Sequence, residues 1–305
     1  EPARQSFAVA VLTLSAYIGT GLSMIIGGPA LIALEEHSQF IPFGISPWRF
    51  LYLICGALGV IGVFILFLIQ DPKPENSGQD STSTQHITFG GFLRACLKMR
   101  WRVSAMLLAL TGMLTMAMAL GAWMPAMLLR NYGWSEQQVG IQFGLCAMLG
   151  GVSGGLGSAK IVGMLTQNGV ASAPIYGLLA GVCFMGLGTF FATFTALEPI
   201  VLIFVFMAML GFGAALALGI FALQAMFPSQ YSAMAVAIYL LVPVTIGSSL
   251  GPTAVPLIVN MFSWVDDTAG ALATLSIAMS AWALLWLFSS LKLEQDISEL
   301  SETPE

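Results

Sequence analysis

Charge is what this sequence has least of. Only 8% of its 305 residues are Asp, Glu, Lys or Arg, against about a quarter in a water-soluble domain. With a mean hydropathy of +0.88 and 57% apolar residues, that scarcity excludes a soluble globular fold and predicts an all-α polytopic membrane protein whose permanent partner is the lipid bilayer. The ten basic residues are not gathered as a nucleic-acid footprint requires, which excludes that class of partner. Cysteine is also scarce. Cys55, Cys96, Cys146 and Cys183 stand singly, without the paired spacing of a metal site or a disulfide framework, and read as small packing residues.

Histidine is limited to His37 and His86, both outside the apolar runs. Gly151-Val152-Ser153-Gly154 has the outline of a serine-hydrolase motif, but that chemistry needs a base beside Ser153, so the glycines read as helix-packing residues. No phosphate-binding Gly-x-x-x-x-Gly-Lys-Ser/Thr occurs. No enzyme activity, cofactor or metal is expected. The chain opens on the polar stretch EPARQS rather than a basic n-region, and the missing initiator Met reads as the mark of a fragment. Most telling, no Asp, Glu, His, Lys or Arg lies at mid-depth in any apolar run. Intramembrane ionisable groups mark ion and proton pathways, so a coupling proton, if used, needs its carboxylate elsewhere.

What is present is a set of long apolar runs. Eight are long enough to cross a hydrocarbon core: 7–34, 51–69, 103–129, 139–163, 174–195, 199–227, 233–261 and 268–291. Between the second and third lies the one long polar segment, 71–102, which holds Lys73, Arg94, Lys98, Arg100 and Arg102. Eight crossings place Arg4, these five residues, Lys160 and Lys292 on one face, and only Arg49 and Arg130 on the other. The positive-inside rule therefore predicts a multi-pass protein of the cytoplasmic membrane with both termini and segment 71–102 in the cytoplasm. The Pro/Ser/Thr-rich part of that segment reads as linker. Phe89, Phe92, Leu93, Cys96 and Leu97 then recur at helical spacing opposite Arg94, Lys98 and Arg102, which predicts an amphipathic helix at the membrane surface.

Small residues recur at four-residue spacing at Gly19, Ser23 and Gly27, with Gly28-Pro29 beyond, and again at Gly140/Gly144, Gly150/Gly154 and Gly151/Gly155. That spacing predicts close helix packing in lipid, with Pro29 able to bend its helix. The second, fifth and eighth runs are apolar nearly all round and are expected to face mostly lipid. PARQSFAVAV…IGTGL…P in the first run echoes PSQYSAMAVA…IGSSL…P in the seventh, as an internal repeat would. It pairs Gly19 with Gly247 and places Gly251 and Pro252 among the packing or hinge residues.

Two spans, a cytoplasmic loop and six spans resemble helices five to twelve of the major facilitator superfamily. Gly19, Gly27 and Gly28-Pro29 look like the glycine-proline motif of its fifth helix. Pro47-Trp48-Arg49 before FLYLICGALGVIG looks like its approach to the sixth, and Asn131-Tyr132-Gly133-Trp134-Ser135-Glu136 like its loop between helices seven and eight. GSAKIVGMLTQNG keeps Gly157, Lys160 and Gly163 of the turn after helix eight but has no Asp.

The resemblance implies that residues 1–70 are the last two helices of a first bundle, 71–102 the linker, 103–291 a complete second bundle and 292–305 a tail. It further implies a secondary active transporter that moves a small organic solute by alternating access through a cavity lined in part by the third and sixth spans. An organic or aromatic acid anion is the preferred substrate; efflux of amphipathic drugs is the alternative. A non-transporting scaffold or lipid-handling protein is the competing class. Recognition on this half falls to uncharged residues: Thr111, Thr115 and Trp123 on the third span, Gln224 on the sixth, Tyr17 and Thr20 on the first, Gln142 on the fourth, and Tyr239 and Thr245 on the seventh. Each has the competing option of a hydrogen bond to a neighbouring helix.

Overall fold

In lipid every backbone N–H and C=O must be satisfied within its own segment, so long apolar runs have helix as their stable form. A computed structural model of the chain describes residues 2–67, 89–170, 172–195, 197–262 and 267–302. The Pro/Ser/Thr-rich linker expected before Phe89 lies outside them. Among the described residues all regular structure is helical: α1 (Pro2–Glu36), α2 (Pro47–Phe67), α3 (Phe89–Lys98), α4 (Arg100–Tyr132), α5 (Glu136–Gln167), α6 (Ala173–Phe194), α7 (Glu198–Ala225), α8 (Ser232–Tyr239), α9 (Thr245–Met261) and α10 (Thr268–Glu302). A single π-turn, Leu240–Val244, joins α8 to α9, and the three form one crossing, so eight candidate spans match the eight apolar runs.

Boundaries follow local chemistry. Gly133 ends α4 in the left-handed region at φ 65°, a conformation in which an L side chain is strained. Two residues later Ser135 opens α5 with a capping box: its hydroxyl accepts from the Gln138 N–H at 3.2 Å, and the Gln138 side chain accepts from the Ser135 N–H at 2.9 Å. Trp134, between them, is buried and donates to Glu198 Oε1 at 2.9 Å. The turn is thereby tied to the start of α7.

α4 is the most buried span. It packs against α9 and α10, while α6 bridges α10 and α7, α7 packs on α5, and α5 carries α1. The contacts close over small residues. A Cβ on Gly140 would meet Met24 O at 2.8 Å, and one on Gly144 would meet Ile25 Cγ1 at 2.8 Å and Gly21 O at 3.0 Å. The α1 glycines in this seam are Gly21 and Gly28. Gly19 and Gly27, the glycines of the four-residue series that includes Ser23, have no heavy atom within 4 Å of an added Cβ.

Of the three all-apolar spans, α2 has no buried residue among its described side chains. α6 departs from the lipid-facing expectation: Val182, Met185 and Ala192 are fully buried while Phe184, Leu187 and Phe191 are exposed. α10 departs in the same way, with Leu272, Ala283 and Leu287 buried and Ile277, Leu285 and Phe288 exposed. A sequence apolar on every side has no period to distinguish the side that meets protein from the side that meets lipid.

The amphipathic segment forms α3, and its apolar side is divided. Phe92 is 2% exposed and packs its ring 5.2 Å from Phe227 and 5.7 Å from Tyr231, while Leu93 and Leu97 remain about half to two-thirds exposed at 49% and 62%. One edge docks on the bundle and the other faces outward.

Two outcomes test this packing. Gly144→Val lowers the thermal unfolding midpoint in detergent by the equivalent of roughly 1–3 kcal/mol, the usual cost of overpacking, whereas Gly19→Ala leaves it unchanged. Burial also pushes the Cys96 thiol on α3 above its ordinary range, so less of it is thiolate at neutral pH. Maleimide labelling of Cys96 is therefore slow at pH 7, speeds up as pH rises past the usual thiol range, and becomes fast at neutral pH when Phe92→Ala releases α3.

Candidate functional site

Where four helices converge at mid-depth the small-residue seams leave a cavity of about 380 Å³, with α1, α4, α5 and α7 as its walls. Its lining includes Tyr17 and Thr20 from α1, Met118 from α4, Phe143 from α5, and Met209 and Phe212 from α7. This lining contains no charged side chain. Volume and apolar character both suit a small organic molecule.

Tyr17 is the polar anchor of this wall. It is 5% exposed, its ring lies over Gly151 and Gly155 of α5, and its hydroxyl donates to the Gly213 carbonyl of α7 at 2.9 Å. The glycines of the hydrolase-like stretch thus make room for this ring and for α7, while the Ser153 hydroxyl donates to Leu149 O at 2.6 Å. Thr20, one turn beyond Tyr17, is exposed and donates to Ala16 O at 2.8 Å. Pro125 has no N–H, so the carbonyl of Gly121, which lines the cavity, lacks its α-helical donor.

The other sequence-selected residues are dispersed. Thr111 and Thr115 donate to Leu107 O at 2.7 Å and Thr111 O at 2.8 Å. Thr115 is 4% exposed, and its backbone is the surface on which Gly247 and Gly251 of α9 ride. Tyr239 is 2% exposed beside Gly219 and Leu110, with no hydrogen-bond partner for its hydroxyl among the described residues. Gln142 Oε1 is likewise buried without one. Gln224 Nε2 donates to Ser232 Oγ at 2.8 Å and ties α7 to α8. The Thr245 hydroxyl donates across the π-turn to Leu240 O at 3.1 Å. Of the glycine-proline motif, Gly28 approaches Glu136 O of α5, and Pro29 lies within α1.

Trp123 marks a second cavity, of about 550 Å³, between α4, α9 and the start of α10. Pro256 has no N–H to give the carbonyl four residues before it. The freed oxygen is Pro252 O, and Trp123 Nε1 donates to it at 2.8 Å. Arg130, Asn131, Val255, Val259, Asn260, Asp267 and Thr268 complete the lining.

The structure brings Tyr17 and Thr20 into the central cavity and Trp123 into the second cavity, the vestibule. Sequence reasoning missed the aromatic and thioether lining, Met118, Phe143, Met209 and Phe212, and the vestibule cation Arg130. Arg130 carried a usable signal as one of two basic residues on its predicted face. The apolar lining carried none, since Met and Phe recur throughout the spans.

Comparison with known proteins agrees with this architecture. The family profile described as Major Facilitator Superfamily matches residues 1–177. No curated protein sequence matches. Among solved structures, the fold is similar to a bacterial homologue of the human lysosomal transporter Spinster in an inward-facing, unoccupied conformation. The TM-score is 0.67 at 16% identity, covering 97% of this chain and 72% of that one.

The Tyr17 contact predicts a graded response. Tyr17→Phe costs about 0.6–1.7 kcal/mol, the range for interhelical hydrogen bonds in membranes. Tyr17→Ala costs roughly 3–5 kcal/mol because it also empties the groove over Gly151 and Gly155. Reversible unfolding in mixed detergent micelles measures both.

Proposed function

Because the chain belongs to the Major Facilitator Superfamily and is a multi-pass membrane transporter, we propose that the cavity between α1, α4, α5 and α7 is its share of a path along which a small organic anion moves by alternating access. The observation that supports this is the lining: apolar and aromatic surface, whose polar members are Tyr17 and Thr20, each with its hydroxyl donating to a backbone carbonyl, and the open carbonyl of Gly121. Such a wall holds the body of an aromatic or carboxylic acid and leaves its charge to be met elsewhere.

On this reading residues 1–70 are the last helices of a first bundle, and 103–291 are the second bundle that rocks against it. The basic face is cytoplasmic. A coupling proton, where one is used, is carried by a group outside these spans. Tyr17 contacts substrate, whereas Thr111 and Thr115 return their hydroxyls to carbonyls of α4, Thr245 spans the π-turn and Gln224 ties α7 to α8. Efflux of amphipathic compounds is the second reading, favoured by the Met118, Met209, Phe143 and Phe212 surface, which repacks around varied apolar shapes.

Gly121 tests transport against a scaffold. It lines the cavity and has no heavy atom within 4 Å of an added Cβ, so a cysteine fits there. With the four native cysteines replaced by alanine, Gly121→Cys reacts with a small charged methanethiosulfonate, and Thr115→Cys, facing α9, does not. Absence of reaction at Gly121→Cys and Met118→Cys under every condition would count for a scaffold and against an aqueous path.

A further inference from the structure

The vestibule at the far end of α4 from α3 is not needed for the central cavity, yet it holds the charge that cavity lacks. The geometry points to a second, separate binding site there, one that takes the carboxylate of an organic anion on Arg130 and its apolar body on Trp123; this rests on the organic-anion reading above.

Arg130 has five N–H donors in a planar fork, and the structure engages the guanidinium only lightly, through Nη1 to Thr268 Oγ1 at 3.3 Å. Thr268 is itself buried, so it fixes the position of the arginine without neutralising it. The one carboxylate in the described lining is that of Asp267, and it is committed to other donors: Oδ1 accepts from the Gly270 N–H at 2.8 Å, capping α10, and Oδ2 accepts from Asn131 Nδ2 at 2.8 Å. Among the described residues nothing else engages the fork, which leaves it open to a bidentate carboxylate. The amino end of α10 is already capped by Asp267, so the positive charge offered to a ligand is that of Arg130, and Asn260 supplies a further amide.

The apolar half of the ligand is equally defined. Trp123 has its N–H taken by Pro252 O, so what it presents is ring, flanked by Val255 and Val259. A volume of about 550 Å³ accommodates an aromatic or branched aliphatic acid. Trp123 is also next in sequence to Gly121 and Ala122 of the central cavity, so α4 is the partition between the two spaces. A solute held at Arg130 is thereby staged beside the path it would take.

The test uses the purified full chain in lipid nanodiscs, with labelled benzoate as the probe for equilibrium binding and for uptake into proteoliposomes. Benzoate binds, and benzamide, of the same shape but uncharged, does not compete. Arg130→Gln weakens binding about tenfold or more, as expected for loss of a charged hydrogen-bond partner, and Arg130→Lys recovers part of it. Failure of wild-type protein to bind benzoate at millimolar concentration, competition by benzamide equal to that by benzoate, or unchanged binding by a monodisperse Arg130→Gln variant each overturns the site. Binding that depends on Arg130 without uptake upholds the vestibule and overturns organic-anion transport. Uptake with binding that ignores Arg130 does the reverse.

Discussion

The structure depends on how closely helix backbones approach one another where no hydrophobic force drives them together. Lipid tails are as apolar as Leu, so association in a membrane rests on van der Waals contact and a few interhelical hydrogen bonds. Small residues supply that contact. Gly140 and Gly144 seat α1, Gly150 and Gly154 seat α7 on α5, and Gly247 and Gly251 seat α9 on α4. Each is a place where one added carbon would force two helices apart. The central cavity is what remains where these seams end and Met and Phe side chains take over.

Polar groups inside the spans are handled by the same economy. Thr111, Thr115, Thr189 and Ser153 return their hydroxyls to carbonyls four residues back, which satisfies them without a partner helix. Two of the hydrogen bonds that do cross between helices land on special backbone: Tyr17 reaches Gly213 where two helices touch, and Trp123 reaches a carbonyl left open by Pro256. Pro256 in α9 therefore acts as the source of an acceptor.

Among the described residues charge lies toward the helix ends, where several groups have a structural use. Asp267 caps α10 and Glu198 receives Trp134. Arg49 stacks 5.0 Å from the Trp48 ring at the start of α2, and Arg100 stacks 5.6 Å from Trp101 at the start of α4, as suits aromatic rings and cations at membrane interfaces. Arg130 stands apart because its neighbouring carboxylate is already bonded to other donors.

The sequence by itself determined the number of spans, their helical form, the turn at Gly133-Trp134-Ser135 and the family, because each depends on local composition or on residues adjacent in the chain. The amphipathic α3 was legible for the same reason. Which face of each span meets protein was not: α6 and α10 look alike on every side, and Gly19, Ser23 and Gly27 recur at the same four-residue spacing as Gly140 and Gly144, which are the ones that dock. Nor could Thr115, turned toward α9, be told from Tyr17, inserted between α5 and α7. Only the tertiary structure decided these, because in a membrane the surroundings of a helix and the interior of a bundle are equally apolar, and polarity no longer distinguishes inside from outside.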